Sequence, residues 1–323
     1  MWTCFALILL IPLLNSKIIS TKTKYLISIV GPTAIGKTAL SIKLAQHFNT
    51  EILSADSRQF FKEMQIGTAA PTPNELAAAK HHFIHHKSIT DQYSVGDFEK
   101  EALQTLTTLF KKHNILIMVG GSGLYVDAVS KGLDVFPKVD KNIRTQLNED
   151  LETKGLEHLQ KTLQELDPIS YQTIAINNPH RVIRALEICM GTNKPYSSFL
   201  NKEKQIRSFK TITIGLTAER ELIYNRINKR VDLMMENGLL NEVKNLSPYK
   251  NLNALNTVGY KELFNYLDNV WDLDFSISEI KKNTRRFAKR QLTWFKRNED
   301  TLWFNYLSPT QTIINTITKI INL

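Results

Sequence analysis

The run Gly31-Pro32-Thr33-Ala34-Ile35-Gly36-Lys37-Thr38 limits what this chain can fold into more than any other feature. It matches G-x-x-x-x-G-K-[ST], a pattern that carries weight only between a strand and a helix. Both are expected here. Tyr25 to Val30 (YLISIV) is a short β-rich apolar run ending in Gly-Pro, which reads as a buried strand. Leu40, Ile42, Leu44, Ala45 and Phe48 then recur at helical spacing. Glycines let the loop curl so that its N–H groups point inward, and the helix N-terminus adds partial positive charge. Lys37 can neutralise diphosphate oxygens and Thr38 can ligate Mg²⁺. Residues 31–38 are thus expected to hold a diphosphate or nucleotide.

The surrounding pattern places this loop in a larger sheet. Glu51 to Ser54 and Ile115 to Val119 (ILIMV) read as further strands, the latter closed by Gly120-Gly121-Ser122-Gly123. Phe98 to Lys112 reads as a helix with Leu103, Leu106, Leu109 and Phe110 on one face. Strands alternating with helices predict an α/β fold, a P-loop NTPase-like parallel sheet flanked by helices. From about Pro137 the texture becomes polar and helix-like, without a strand, until Lys210 to Leu216 (KTITIGL). The economical division is a core of residues 24–136 and 206–323 around a helical insertion, 137–205. After Ala218 the pattern is nearly all helical.

Residues 1–23 stand apart. Phe5 to Leu14 is an apolar run of ten, short of the roughly 20 needed to span a bilayer. No Lys or Arg precedes it, so it reads as an extension from a misassigned start codon, with a targeting or anchoring segment as the alternative. Cys4 and Cys189 form neither a metal spacing nor a disulfide framework, which fits a reducing, cytoplasmic setting. A stable membrane partner is not expected.

The loop by itself indicates a diphosphate, not ATP hydrolysis. A nucleotide hydrolase or kinase also needs a strand-end Asp to organise Mg²⁺, and the strand at 115–119 ends in Gly-Gly-Ser-Gly instead. The best-placed carboxylate is Asp56, in Ser54-Ala55-Asp56-Ser57-Arg58-Gln59, which reads as a strand end opening onto a site, or else as a helix N-cap. The net charge of +10, from 41 basic and 31 acidic residues, favours a polyanionic partner. Much of it lies between Lys281 and Arg297, with eight basic residues and no acid. Arg286, Lys289 and Arg290 share a stripe there, where phosphate contact is expected. The interleaved Phe287, Trp294 and Phe295 read as core anchors rather than stacking platforms. His81, His82, His85 and His86 lack an HExxH carboxylate, so capping or packing is expected of them rather than metal binding.

At this point the chain resembles the bacterial-type tRNA dimethylallyltransferases (tRNA isopentenyltransferases) over nearly all of residues 25–300. The likeness rests on ten segments in the family's order. They are 31–38, 56–59, Ile66-Gly67-Thr68, 81–84, 93–98, 120–125, Arg181 to Glu187 (RVIRALE), 226–243, Gly259-Tyr260-Lys261-Glu262 and Thr284 to Phe295 (TRRFAKRQLTWF). The resemblance implies dimethylallyl diphosphate in the loop with Mg²⁺. It implies transfer of the dimethylallyl group to the exocyclic N6 amine of the adenosine 3′ of the anticodon, position 37, in tRNAs reading codons that begin with U. Asp56 would be the general base, and Lys37 and Arg220 would stabilise the leaving diphosphate. Ser122 stands where the family usually has Thr. The acceptor base would be extruded into a pocket and gripped by Asp56, Ser57, Arg58, Gln59 and Ser122. The anticodon stem would meet Arg144, His180, Arg181, Val182, Ile183 and Arg184, with Arg286 and Arg290 on the basic helix. The alternative for Arg181 or Arg184 is a pair with Glu187. A monomer is expected.

Two positions depart from the family pattern. Ala70 replaces a common Lys, and Ile35 replaces a frequent small residue. Competing readings are a P-loop small-molecule kinase, an adenylate prenyltransferase acting on free nucleotide, and a non-catalytic RNA-binding protein.

Overall fold

A computed structural model describes residues 23–200 and 205–322. The apolar run Phe5 to Leu14 lies outside the described residues. The chain order is β1 (Tyr25–Val30), α1 (Lys37–Phe48), β2 (Ile52–Ser54), α2 (Pro73–Ala78), β3 (His81–His82), α3 (Val95–Leu109), β4 (Ile115–Val119), α4 (Gly123–Lys131), α5 (Lys141–Leu166), α6 (Pro168–Thr173) and α7 (Pro179–Thr192). It continues with β5 (Lys210–Thr217), α8 (Arg220–Glu236), α9 (Leu239–Leu246), α10 (Tyr260–Leu267), α11 (Leu273–Phe295), β6 (Leu302–Asn305) and α12 (Thr310–Ile321).

The six strands form one parallel sheet in the order β3-β2-β4-β1-β5-β6. β1 is central, with Ile27 opposite both Ile117 and Ile212. Its residues alternate between two cores, as the period of two in a strand requires. Tyr25, Ile27 and Ile29 pack with Leu44, Ile223 and Ile317 on one face. Leu26 and Val30 pack with Phe98, Leu106 and Val129 on the other. Burying each such side chain stabilises the fold by about 1.5–3 kcal/mol. The sheet therefore fixes the strand C-termini, from which the phosphate loop and the segment after β2 both project.

Two strands escaped the sequence pattern. β3 is a two-residue pair of histidines, and β6 is a half-exposed edge strand after a long helical stretch. The helix expected from Phe98 begins at Val95, because Ser94 and Asp97 form a capping box. Ser94 Oγ accepts from the Asp97 N–H at 3.2 Å, and Asp97 accepts from the Ser94 N–H at 2.9 Å.

Helices α5 to α7 bury their own core of Leu147, Leu159, Leu163, Val182, Ile183 and Leu186. Helix α5 breaks at Gly155, whose φ of 79° lies outside the helical range. Val182 and Ile183 are 0% and 1% exposed, so the structure removes them from the RNA-facing set. They supply the apolar face of α7 that the core needs.

The histidines are built into packing. His82 Nε2 lies 2.6 Å from Glu51, and His81 Nδ1 lies 2.8 Å from the Ala79 carbonyl. His86 sits edge-on among Phe60, Phe83 and Tyr93. Burial pushes its pKa down to about 4.

Candidate active site

The phosphate loop joins β1 to α1 through backbone conformations that its residues dictate. Gly31 has φ 141°, and a Cβ there would stand 2.5 Å from the Leu216 carbonyl oxygen of β5. Only glycine lets the loop cross so close to the neighbouring strand. Gly36 opens α1 at φ 107°. Ile35, the departure from the family pattern, is 2% exposed and packs into the core beneath the loop. Lys37 Nζ donates to the Pro32 carbonyl at 2.8 Å. Burial lowers its pKa to about 8, against an opposing effect of the Asp56 carboxylate and with a further lowering by Arg230.

Two cavities of about 580 and 570 Å³ meet at this loop. Thr33, Asp56, Gly121, Arg230 and Met234 line both, so they are two halves of one cleft. The first half is walled by Leu124, Val258, Ile280, Phe287 and Trp294, a largely apolar surface. The second half contains residues 33–39 with Ser54, Glu75 and Arg226. Asp56 stands at the junction. Its Oδ1 accepts from the Arg58 N–H at 3.1 Å, which makes it the cap of a tight turn and leaves Oδ2 toward Gly121.

The walls are cross-braced. Ser122 Oγ accepts from the Ser57 N–H and donates to Ser57 Oγ, both at 3.1 Å. Gln291 Oε1 accepts from the Thr33 N–H at 2.8 Å, while its Nε2 donates to the Gly121 carbonyl at 2.9 Å. A Cβ on Gly121 would lie 2.3 Å from Gln291 Nε2, so this approach requires glycine. The segment 65–69 that lines both halves hangs on Glu242. That carboxylate accepts from the N–H groups of Gln65, Ile66 and Gly67 at 3.0, 2.7 and 3.0 Å, and from the Tyr260 hydroxyl at 2.6 Å.

The expected site residues divide. Lys37, Thr38, Asp56, Ser57, Arg58, Gln59, Ser122 and Arg290 do converge on the cleft. Within it, Gln59 donates to the Thr68 and Ala69 carbonyls at 3.2 and 3.1 Å. Arg58 donates to the Asn253 and Ala254 carbonyls at 2.9 and 3.0 Å. Both therefore act as struts in this structure. Arg220 lines neither half. As the first residue of α8, its Nε donates to the Tyr224 hydroxyl at 3.0 Å and its guanidinium lies over that ring.

On α8 the cations that reach the cleft are instead Arg226 and Arg230, further along the helix. Arg226 Nε donates to the Ala34 carbonyl at 2.7 Å, and Arg230 lies 3.5 Å from Thr33 Oγ1. Their spacing with Met234, each four residues apart, is a helical stripe that was visible in the sequence. Outside the cleft, Arg144 and Arg184 both pair with Glu187 Oε2, at 3.1 and 2.8 Å, whereas His180 and Arg181 are exposed. Arg286 is exposed and donates to Asn283 at 3.3 Å. Of the aromatics, Phe295 is buried. Trp294 donates to Asp127 at 2.8 Å while facing the cleft.

The IPP transferase family model matches residues 59–298. The chain is 63% identical over 300 residues to a tRNA dimethylallyltransferase of Christiangramia forsetii, covering 93% of this chain and 99% of that one. It is 59% identical to the tRNA dimethylallyltransferase of Flavobacterium johnsoniae, over 92% of this chain and 98% of that one. Among solved structures, the full-length tRNA isopentenylpyrophosphate transferase of Bacillus halodurans is 36% identical with a TM-score of 0.70, covering 93% and 97%. A eukaryotic dimethylallyltransferase acting on tRNA is 28% identical with a TM-score of 0.76, covering 93% and 78%. A parallel sheet that sets a phosphate loop beside Asp56, and likeness along almost the whole chain, place this protein in the IPP transferase family.

Proposed function

We infer that this chain is a tRNA dimethylallyltransferase, transferring the dimethylallyl group of dimethylallyl diphosphate to N6 of the adenosine at position 37. One observation carries the residue-level reading. A single carboxylate, Asp56, lines both a phosphate cradle and an adjoining, largely apolar cavity. The cradle suits the diphosphate. The apolar half, with Leu124, Phe287 and Trp294 on its walls, suits the prenyl tail and an extruded base.

In the reaction the N6 nitrogen forms a bond to C1 of the dimethylallyl group. The C1–O bond breaks, and its electron pair leaves with diphosphate. Asp56 takes the N6 proton, which raises the nucleophilicity of a poor amine at the moment of attack. Lys37, Arg226, Arg230 and the loop N–H groups offset the charge that builds on the leaving oxygen. Arg226 and Arg230, on the cleft wall, take the part expected of Arg220. The hydroxyl of Thr38, with Ser54 on the same cavity wall, offers the oxygen donors that Mg²⁺ prefers. When bound, Mg²⁺ would neutralise diphosphate oxygens.

The α5–α7 unit and the exposed basic stripe of α11 would hold the anticodon stem-loop through its phosphates. His180 and Arg181 are available at the surface for this, and Arg144 and Arg184 are half-exposed although paired with Glu187. Among the described residues no helix is long and apolar enough to cross a membrane. The enzyme would act as a monomer in the cytoplasm, on tRNAs reading codons that begin with U.

The test is incubation with Mg²⁺, dimethylallyl diphosphate and unmodified anticodon stem-loops, read by mass spectrometry. The expected product is one prenyl adduct on adenosine, with diphosphate released whole. ATP turnover without an adduct would overturn the assignment.

A further inference from the structure

Beside the apolar half of the cleft lies a smaller cavity of about 370 Å³, which prenyl transfer as described leaves unused. Its size falls within the roughly 300–1,000 Å³ of small-ligand sites. Val258, Lys261 and Arg290 line both this cavity and the cleft, so the two are contiguous.

Its floor is fixed. Glu262, 4% exposed, accepts from the Gly259 N–H and from Asn283 Nδ2, both at 2.8 Å. Asn283 Oδ1 accepts from Arg286 at 3.3 Å, so both ends of that amide are engaged. Three other polar groups are uncommitted. Lys261 and Asn265, one turn apart on α10, have no side-chain hydrogen bond or ion pair among the described residues. Among the described residues, Arg290 rests only on the Phe287 ring, 5.7 Å from its centroid. The remaining wall is Trp271, held edge-to-face against Phe275 at 5.1 Å and 87°.

A planar aromatic wall, a free amide and two cations at the mouth suit one kind of ligand, a base carried on a polyanion. Aromatic faces stack unpaired bases and amides read base edges, while cations meet the flanking phosphates. A small anion would have no use for Trp271. A cavity contiguous with the one that takes the acceptor base is reached most directly by the nucleotide next to it. We propose that this side cavity is a second base pocket, which receives a nucleotide adjoining the acceptor adenosine, with Trp271 as its stacking wall and Asn265 as its reader. The proposal rests on RNA being the acceptor.

The test compares wild type, Trp271→Ala, Trp271→Phe and Asn265→Ala on stem-loops that are intact or made abasic at either neighbour of the acceptor. Stacking is worth about 1–3 kcal/mol per base, so Trp271→Ala should raise the KM for intact stem-loop roughly tenfold. KM for dimethylallyl diphosphate and kcat should hold, and Trp271→Phe should recover most of the loss. Abasic substitution at one neighbour, and not the other, should cost wild type a similar factor and cost Trp271→Ala little more. Asn265→Ala should flatten the preference for base identity at that same neighbour. It keeps the comparison valid if Trp271→Ala loses its thermal transition. Penalties that add in full at both neighbours, or an unchanged KM in Trp271→Ala and Asn265→Ala, would sink the second pocket while leaving prenyl transfer intact. Wild type that modifies no stem-loop at all would remove the parent reading and this one with it.

Discussion

Gln291 in helix α11 holds the Thr33 N–H of the phosphate loop at 2.8 Å, across 258 positions of sequence. The same amide donates to the Gly121 carbonyl, so one buried side chain clamps the two walls of the cleft. Gln291→Ala leaves both groups without that partner, at about 1–3 kcal/mol for a stranded buried group. Urea unfolding should show that loss, and KM for dimethylallyl diphosphate should rise. Unchanged values for both would deny the clamp.

Asp56→Asn removes the proton acceptor while keeping the size of the side chain. Stem-loop binding, followed by fluorescence anisotropy, should be nearly unchanged. Single-turnover prenylation should fall by about 10²–10⁴-fold, the usual worth of a general base. A wild-type rate would eliminate Asp56 from that role.

Lys37 titrates near 8 in the free protein because burial disfavours its charge. Its cation is present below that pH and is lost as pH rises through it. Affinity for dimethylallyl diphosphate should therefore weaken above pH 8, by close to tenfold per unit if only the protonated form binds. Lys37→Arg should lose this alkaline limb, because arginine stays charged. Calorimetric titrations between pH 7 and 9.5 would show it.

Glu242 carries three loop N–H groups and the Tyr260 hydroxyl. Glu242→Ala should release residues 65–69 and cost at least about 2 kcal/mol, since several donors lose one acceptor. Hydrogen exchange at Ile66 and Gly67 should accelerate well beyond that in the central sheet. Equal acceleration in both places would mean global loosening instead of a local anchor.

His86 has a pKa of about 4 in the fold against an ordinary 6.5, owing to burial. The native state then binds fewer protons than the unfolded one between these values, so stability falls as pH drops from 6.5 toward 4. His86→Phe should flatten that window in thermal melts taken from pH 7 to 4.5. An identical slope would show that other groups govern the acid limb.

Much of this site was legible because local chemistry announces it. The loop 31–38 is written in glycines and a lysine, and β1 and β4 in short β-rich apolar runs, broken in β1 only by Ser28, with the bounds the structure has. Asp56 could be singled out because it follows a strand end. Arg220 was misplaced for a related reason, since nearness to a strand end in sequence does not say which way a helix presents its side chains. The stripe of Arg226, Arg230 and Met234 held that information. Gln291 and Glu242 had no local signature, because the backbone groups they hold lie 170 or more residues away. Val182 and Ile183 entered the RNA-facing set as part of a motif, whereas their burial follows from the apolar face of α7.

The span between Thr33 and Gln291 also bears on synthesis. A ribosome makes the loop, Asp56, Ser122 and the two α8 arginines of the cleft before it reaches α11. A nascent chain halted before residue 291 would carry these groups without the brace that joins them. The order of translation thus withholds a closed cleft until the last tenth of the chain is being made, and premature termination there should leave a protein that is inert despite an intact set of reacting groups.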